Sequence, residues 1–330
     1  MLNSSKLLFY STMILGTSIT VSSETWLGMW MGLEMNLISF IPILYKNSNT
    51  SSESCMIYFL IQSFGSILML MSVLSNSFVI LSPLMSKELF NVMLMMSMSI
   101  KLGIPPFHFW FPEIMEKLNW INCTILMTWQ KVAPLTILSY ILENKLLPVV
   151  IMTATIIGAI GGLNQTSIRK IMAFSSINHM GWMIACMKYN NEFWMKYLLI
   201  YTTIIVMMTF MFNNYSSFYI NQLINTNLMY TEKTLIIILF LSLGGLPPFL
   251  GFIPKWMVIQ AMILSNSISI MFVMIMSVLI SLFYYLRLIS TTLLISSTTV
   301  KWNSESNNEN IIMSLILINL SLPVIVTFSL

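Results

Sequence analysis

Eleven stretches of this 330-residue chain are apolar enough, over about 20 residues each, to cross a hydrocarbon layer about 30 Å thick. They run approximately over 6–22, 25–44, 55–74, 88–110, 119–141, 146–163, 168–187, 193–212, 234–261, 264–292 and 311–329. Lipid leaves such a chain few options. Every backbone polar group must be paired internally, and a helix does this one segment at a time. The expected fold is an all-α polytopic membrane protein. Composition agrees, with 57% hydrophobic and 8% charged residues against about 25% charged in a soluble domain. The net charge of +4 is spread along the chain and leaves no basic footprint for nucleic acid. Cys55, Cys123 and Cys186 stand singly, without the paired spacing of zinc or iron–sulfur sites, and read as packing residues. The N-terminus has a lone Lys6 and no small-residue cleavage signature. It reads as a first membrane helix rather than a signal or transit peptide.

The links between these segments are short and polar, and cations in them set an orientation. With the N-terminus on side one, that side holds Lys6, Lys46, Lys117, Arg169, Lys170, Lys233 and Lys301. The other side holds Lys87, Lys145, Lys188 and Lys196. Seven against four makes side one the inside and places the C-terminus outside.

Two segments are interrupted in the same way. "LGIPPFHFWFPEIM" (102–115) is echoed by "GGLPPFLGFIPKWM" (244–257) at a constant offset of 142. Gly103 matches Gly245, Pro105-Pro106 matches Pro247-Pro248, and Phe107, Pro112 and Met115 match Phe249, Pro254 and Met257. The copies fall on the fourth and ninth segments, so the chain reads as a five-helix unit repeated once, plus a terminal helix. Five is odd, so the second unit enters from the opposite face, giving inverted repeats with a discontinuous helix in each. The expected boundaries are 1–141, 142–295 and 296–330, the last holding a side-one loop and the C-terminal helix. A Pro-Pro kink can be a packing adjustment. A repeated one, freeing backbone groups at membrane depth, points instead to a polar, hydrated path.

Away from the links, four charges stand out within the segments: Glu34, Lys101, Lys131 and Lys255. Each costs about 2.5–3.5 kcal/mol on insertion scales. Glu34 and Lys101 could form a buried ion pair that fixes helix register, or part of a proton path. One mid-span carboxylate stands against three lysines, and an ammonium away from water has its charged form disfavoured. Such a group is suited to a proton relay; the alternative is a lysine that donates to backbone carbonyls. His108, in the first Pro-Pro motif, and His179, in mid-segment, are each a relay candidate or a hydrogen-bonded packing residue. They do not make a metal site. Arg169 and Lys170 read as positive-inside anchors. No nucleotide-binding glycine loop and no Ser–His–acid set is present, so redox or hydrolytic chemistry within this chain is not expected.

The segments "GLEMNLISFIP", "KLGIPPFHFWFPE", "MTWQKVAP", "GAIGGLNQTSIRKIMAFSSINHMGWM" and "SLGGLPPFLGFIPKW" span residues 32–256. Together they closely resemble the subunit 2 family of NADH:ubiquinone oxidoreductase, the antiporter-like membrane subunits of respiratory complex I. The resemblance implies two inverted five-helix units with discontinuous helices, in the mitochondrial inner membrane, with the N-terminus in the matrix and the C-terminus in the intermembrane space. It implies a proton relay of Glu34, Lys101, Lys131 and Lys255, with His179 on the same hydrated axis; His108 is a weaker candidate, from its place in the Pro-Pro motif alone. Quinone reduction elsewhere would drive it, as charge shifts between Glu34 and Lys101 load and unload Lys131. The implied partners are neighbouring antiporter-like and small membrane-arm subunits, and membrane lipids. NADH, FMN, iron–sulfur clusters and ubiquinone would be bound by other subunits, with no cofactor and no metal in this chain. The alternatives are a structural or coupling scaffold without its own proton channel, and a stand-alone cation/proton antiporter. The absence of aspartate for a sodium site argues against the latter.

Overall fold

The computed structural model describes residues 4–45, 48–78, 83–141, 146–225, 230–298 and 312–320, which are helical apart from short connections. Lys46, Lys145, Lys301 and most of 296–330 lie outside the described residues, as does the Lys87 side chain. The described chain divides into two compact units, Met1–Val150 and Ile151–Leu330.

The first unit contains α1 (Ser4–Ser22), α2 (Trp26–Leu44), α3 (Asn49–Phe78), α4 (Pro83–Leu102), α5 (Trp110–Lys117), α6 (Trp120–Met127) and α7 (Trp129–Leu138). Small residues let α1 and α2 meet backbone to backbone, as membrane helices do when no hydrophobic effect drives them together. A Cβ on Gly32 would lie 2.5 Å from the Thr20 side chain and 2.7 Å from the Gly16 carbonyl. Helix α7 packs against α1, α2 and α4, while α3 packs against α2, α4 and α5.

The second unit contains α8 (Leu147–Gly161) from Ile151 onward, α9 (Ile168–Tyr189), α10 (Phe193–Asn214), α11 (Ile220–Asn225), α12 (Tyr230–Gly244), α13 (Phe252–Leu264) and α14 (Ile268–Thr298). Every residue of α9 from Ser175 to Met187 is buried, as expected of a helix enclosed on all sides. It packs against α10, α13 and α14. Against α8 the fit is tight: a Cβ on Gly158 would lie 2.5 Å from the Asn178 backbone nitrogen. The loop before α9 meets the loop before α11 through a single antiparallel bridge, Ser167 to Tyr219. No strand occurs among the described residues.

Both interruptions begin earlier than the prolines. Helix α4 ends at Leu102 because Gly103 adopts φ 70°, and α12 ends at Gly244 because Gly245 adopts φ 74°. In each, two hydrogen bonds close the end. Gly103 N donates to Ile100 O (3.3 Å) and Ile104 N to Ser99 O (3.0 Å). Gly245 N donates to Ser242 O (2.9 Å) and Leu246 N to Leu241 O (3.2 Å). This is the Schellman end, where a left-handed glycine satisfies carbonyls left over by the helix and proline follows within two residues. Glycine thus stops each helix, and Pro-Pro prevents its resumption. Both Pro-Pro bonds are cis.

A third interruption was not expected. Segment 119–141 is cut at Thr128, whose backbone (φ −113°, ψ −75°) separates α6 from α7. The Thr128 hydroxyl donates to Thr124 O at 2.6 Å. Pro134 has no N–H to offer Gln130 O. Lys131 therefore sits in the first turn of α7 rather than in mid-helix. The short helix α11 also lies where a polar link was expected.

Among the described residues, four helical stretches are long and apolar enough to cross a membrane: Trp26–Leu44, Asn49–Ser75, Phe193–Asn214 and Ile268–Leu293. The second break leaves α13 apolar but only 13 residues long, and α8, which is uninterrupted, has 15.

Candidate functional site

In the first unit two of the candidate lysines meet at one cavity. Lys101 closes α4 and Lys131 opens α7, and their side chains are 6% and 3% exposed. Both line a cavity whose polar wall also includes Asn36, Tyr58, Gln62 and Gln130. Its free space for the centres of water molecules is about 20 Å³, enough for one. The Lys101 stem lies over Gly65, where a Cβ would come 3.0 Å from its Cγ. The Lys131 ammonium sits 5.5 Å from the centroid of the Phe111 ring, a residue that follows the first break.

Neutral hydrogen bonds hold the wall. Gln62 Nε2 donates to the Lys101 carbonyl at 3.1 Å. Tyr58 Oη donates to Gln130 Oε1 at 3.3 Å, and Gln130 Nε2 donates to Asn36 Oδ1 at 3.0 Å. Four helices, α2, α3, α4 and α7, are tied together this way around the lysines. Sequence reading missed these four residues because uncharged polar side chains scattered over α2, α3 and α7 have no pattern of their own. The available signal was position: Gln130 adjoins Lys131, and Asn36 follows Glu34 by two.

Glu34 is half-buried on α2 and acts on Lys101 electrostatically. Among the described residues no ion pair joins the two directly, so this is an interaction across a gap. His108 is buried in the loop between α4 and α5, its ring 4.2 Å from that of Phe109. It does not line the lysine cavity.

In the second unit Lys255 sits in the first turn of α13 and is 5% exposed. Its ammonium donates to Leu243 O at 3.1 Å and Gly244 O at 2.8 Å. These are terminal carbonyls of α12, which lack helical partners and attract a cation. Gly245 is needed twice over here, since a Cβ on it would lie 2.6 Å from Lys255 Cδ. His179 belongs to a different set: its Nδ1 is 2.8 Å from Tyr197 Oη, deep between α9 and α10. Arg287 of α14 is engaged with the loop after α8, where Nη2 donates to Gln165 O at 3.2 Å and Nη1 to Leu163 O.

A helical membrane protein with interrupted helices and buried lysines has the features of the antiporter-like class. The sequence pattern of the family described as NADH:quinone oxidoreductase/Mrp antiporter, transmembrane, matches residues 23–281. NADH-ubiquinone oxidoreductase chain 2 of Anopheles gambiae is 45% identical over 315 residues, covering 94% of this chain and 92% of that one. The chain of that name from Oryctolagus cuniculus is 40% identical over 313 residues, covering 89% of each. Among solved structures, respiratory complex I from Thermus thermophilus with bound aureothin contains a similar chain. It has a TM-score of 0.83 and 18% identity, over 97% of this chain and 78% of that one. The Mrp complex from Dietzia sp. contains another, with a TM-score of 0.79 and 14% identity, over 97% and 75%. These two likenesses establish the shared fold. The chain belongs to the NADH-ubiquinone oxidoreductase chain 2 family, the antiporter-like membrane subunits of complex I.

Proposed function

We propose that this chain translocates protons in the membrane arm of NADH:ubiquinone oxidoreductase through a relay of Glu34, Lys101, Lys131 and Lys255, driven at a distance by quinone reduction. The observation that carries the reading is the placement of Lys101 and Lys131 on one small polar cavity. Both ammonium groups belong to the wall of one cavity, where burial disfavours the charged form and like charges disfavour each other, more so the nearer they stand. A change in the field at Lys101 would therefore be felt at Lys131. Glu34 is the source of that field within this chain: a unit charge at ~4 Å and an effective dielectric near 20 acts with about 4 kcal/mol, and with less across a gap. His179 lies on the same route, with His108 a lesser candidate.

In this reading eleven spans form two inverted five-helix repeats and a terminal helix, with discontinuous helices at Pro105-Pro106 and Pro247-Pro248. The protein lies in the mitochondrial inner membrane, its N-terminus in the matrix and its C-terminus in the intermembrane space. Neighbouring antiporter-like subunits, small membrane-arm subunits and lipids surround it. NADH, FMN, iron–sulfur clusters and ubiquinone are held by other subunits, and this chain contributes the translocase step.

Lys131→Met in the assembled complex tests this. Protons pumped per NADH oxidised should fall severalfold at normal complex content. Wild-type pumping would make the chain a scaffold. One observation favours a structural part for Lys255: both bonds that it makes to α12 carbonyls act as a helix cap.

A further inference from the structure

Two phenols of α10 stand against His179. Tyr197 Oη lies 2.8 Å from its Nδ1, and the Tyr201 ring lies 5.1 Å from the imidazole, tilted at 44°. The two tyrosines are 1% and 2% exposed. They stand one turn apart, on one face of α10. Ser175, one turn before His179 on α9, donates to Met172 O at 2.7 Å, and Tyr285 of α14 is 1% exposed. The other ionisable groups on the helices packed around this point are Cys186, Tyr284, Lys255, Lys196 and Arg287. Lys255 is engaged with the α12 carbonyls, Arg287 with the loop after α8, and Lys196 with the Phe193 ring at 5.5 Å. Arg169, Lys170, Lys188 and Tyr189 lie at the ends of α9, more than two turns from His179.

We propose that Tyr197 is the positioning residue for proton exchange at His179, committing Nδ1 so that protons enter and leave through Nε2. The proposal rests on the reading of His179 as a relay member. With Nδ1–H donated to Tyr197 Oη, Nε2 carries the lone pair. A proton arriving at Nε2 makes the imidazolium, and the same nitrogen releases it. Tyr197 keeps its own proton throughout and stays neutral. Without the hydroxyl either nitrogen can hold the ring proton and the ring can turn over, so the exchanging atom is no longer fixed.

Tyr197→Phe tests this in the assembled complex, with proton pumping followed against pH. Its pH midpoint should move by about half a unit to one unit, the size of one lost hydrogen bond. Complex content and NADH oxidation by an artificial acceptor should stay at wild-type levels. Tyr201→Phe, which keeps the ring contact, should leave the midpoint in place. An unmoved midpoint in Tyr197→Phe overturns the proposal. His179→Gln separates it from the reading beneath it. If His179→Gln pumps with the wild-type pH profile, His179 carries no protons and both fall. If His179→Gln abolishes a limb of the profile while Tyr197→Phe leaves that limb in place, the positioning role alone falls. Should Tyr197→Phe not assemble, Tyr197→Gln decides, because its amide oxygen can still accept from Nδ1. A wild-type midpoint then supports the proposal and a displaced one overturns it.

Discussion

The two helix breaks share a backbone and differ in what answers it. At the offset of 142, Ile100, Lys101 and Leu102 correspond to Ser242, Leu243 and Gly244. In the first break the released carbonyls are met by neutral donors, Trp110 Nε1 to Ile100 O at 3.1 Å and Gln62 Nε2 to Lys101 O at 3.1 Å. In the second they are met by the Lys255 ammonium. The lysine of the first break sits on the helix that ends there, and its side chain lines the polar cavity. The lysine of the second sits on the helix that begins and folds back onto the carbonyls. A repeated turn thus leaves open where the charge goes: one lysine lines a polar cavity and the other caps a helix.

The sharpest way to break this comparison is at the glycines. Alanine at either position must adopt a left-handed backbone, which costs about 1–2 kcal/mol. At Gly245 the new Cβ would also drive Lys255 off its carbonyls, since it would lie 2.9 Å from Nζ. At Gly103 the nearest obstacle is Phe111 Cβ at 3.0 Å, and no cap is lost with it. Gly245→Ala should reduce assembled complex by more than the ~5–30-fold shift in the ratio of folded to unfolded chain from the backbone term alone would bring. Gly103→Ala should stay nearer that range. Native-gel quantification of assembled complex compares them, and the reverse order would mean that Lys255 is not the element supporting the second break.

Next come the donors themselves. Lys255→Met leaves two terminal carbonyls without their ammonium, about 1–3 kcal/mol for each group left unsatisfied. Gln62→Leu removes one neutral bond, about 1 kcal/mol. Lys101→Met removes neither and should assemble normally while pumping poorly. Thermal inactivation of the assembled complex should therefore rank Lys255→Met below Gln62→Leu, and Gln62→Leu below Lys101→Met. If Lys101→Met is as labile as Lys255→Met, the two lysines do the same structural work and the distinction between the breaks is lost.

The breaks were legible in the sequence because Gly-x-Pro-Pro states its own mechanism: a left-handed stop followed by residues that cannot restart a helix. Their division of labour was not. Lys101 and Lys255 look alike as lone cations in apolar runs, and only packing shows which one folds back onto carbonyls. The break at Thr128 was hidden because threonine is common inside membrane helices and acts here through its own hydroxyl. Likewise Gln62, Gln130, Asn36 and Tyr58 come together from three helices, and no spacing along the chain encodes that meeting. His179 was legible as a candidate, whereas Tyr197, 18 residues away, reads in isolation as an ordinary aromatic of an apolar helix.

The smallest expected effect lies where the half-helix after the first break ends. Lys117, at the end of α5, pairs with Glu53 of α3 at 2.7 Å and with Glu113 at 3.2 Å. Glu113 occupies the register position of Lys255, 142 residues on, so this corner holds a surface ion pair where the other break holds a buried cap. Burial pulls the Lys117 ammonium toward losing its proton, but the two carboxylates outweigh it and hold its pKa above the ordinary 10.5. A raised folded-state value means that the stabilisation is fully present below pH 10.5 and is lost as pH rises through the folded value. Both carboxylates are more than half exposed, so salt and solvent screen the pairs and the effect is modest. Lys117→Gln should lower the thermal midpoint of the complex slightly and evenly across neutral pH, less so in high salt. The gap from wild type should close only in the alkaline range where Lys117 itself loses its proton. A gap that instead closed between pH 5 and 8 would place the stabilisation in some other group, and α5 would be held after the break by packing alone.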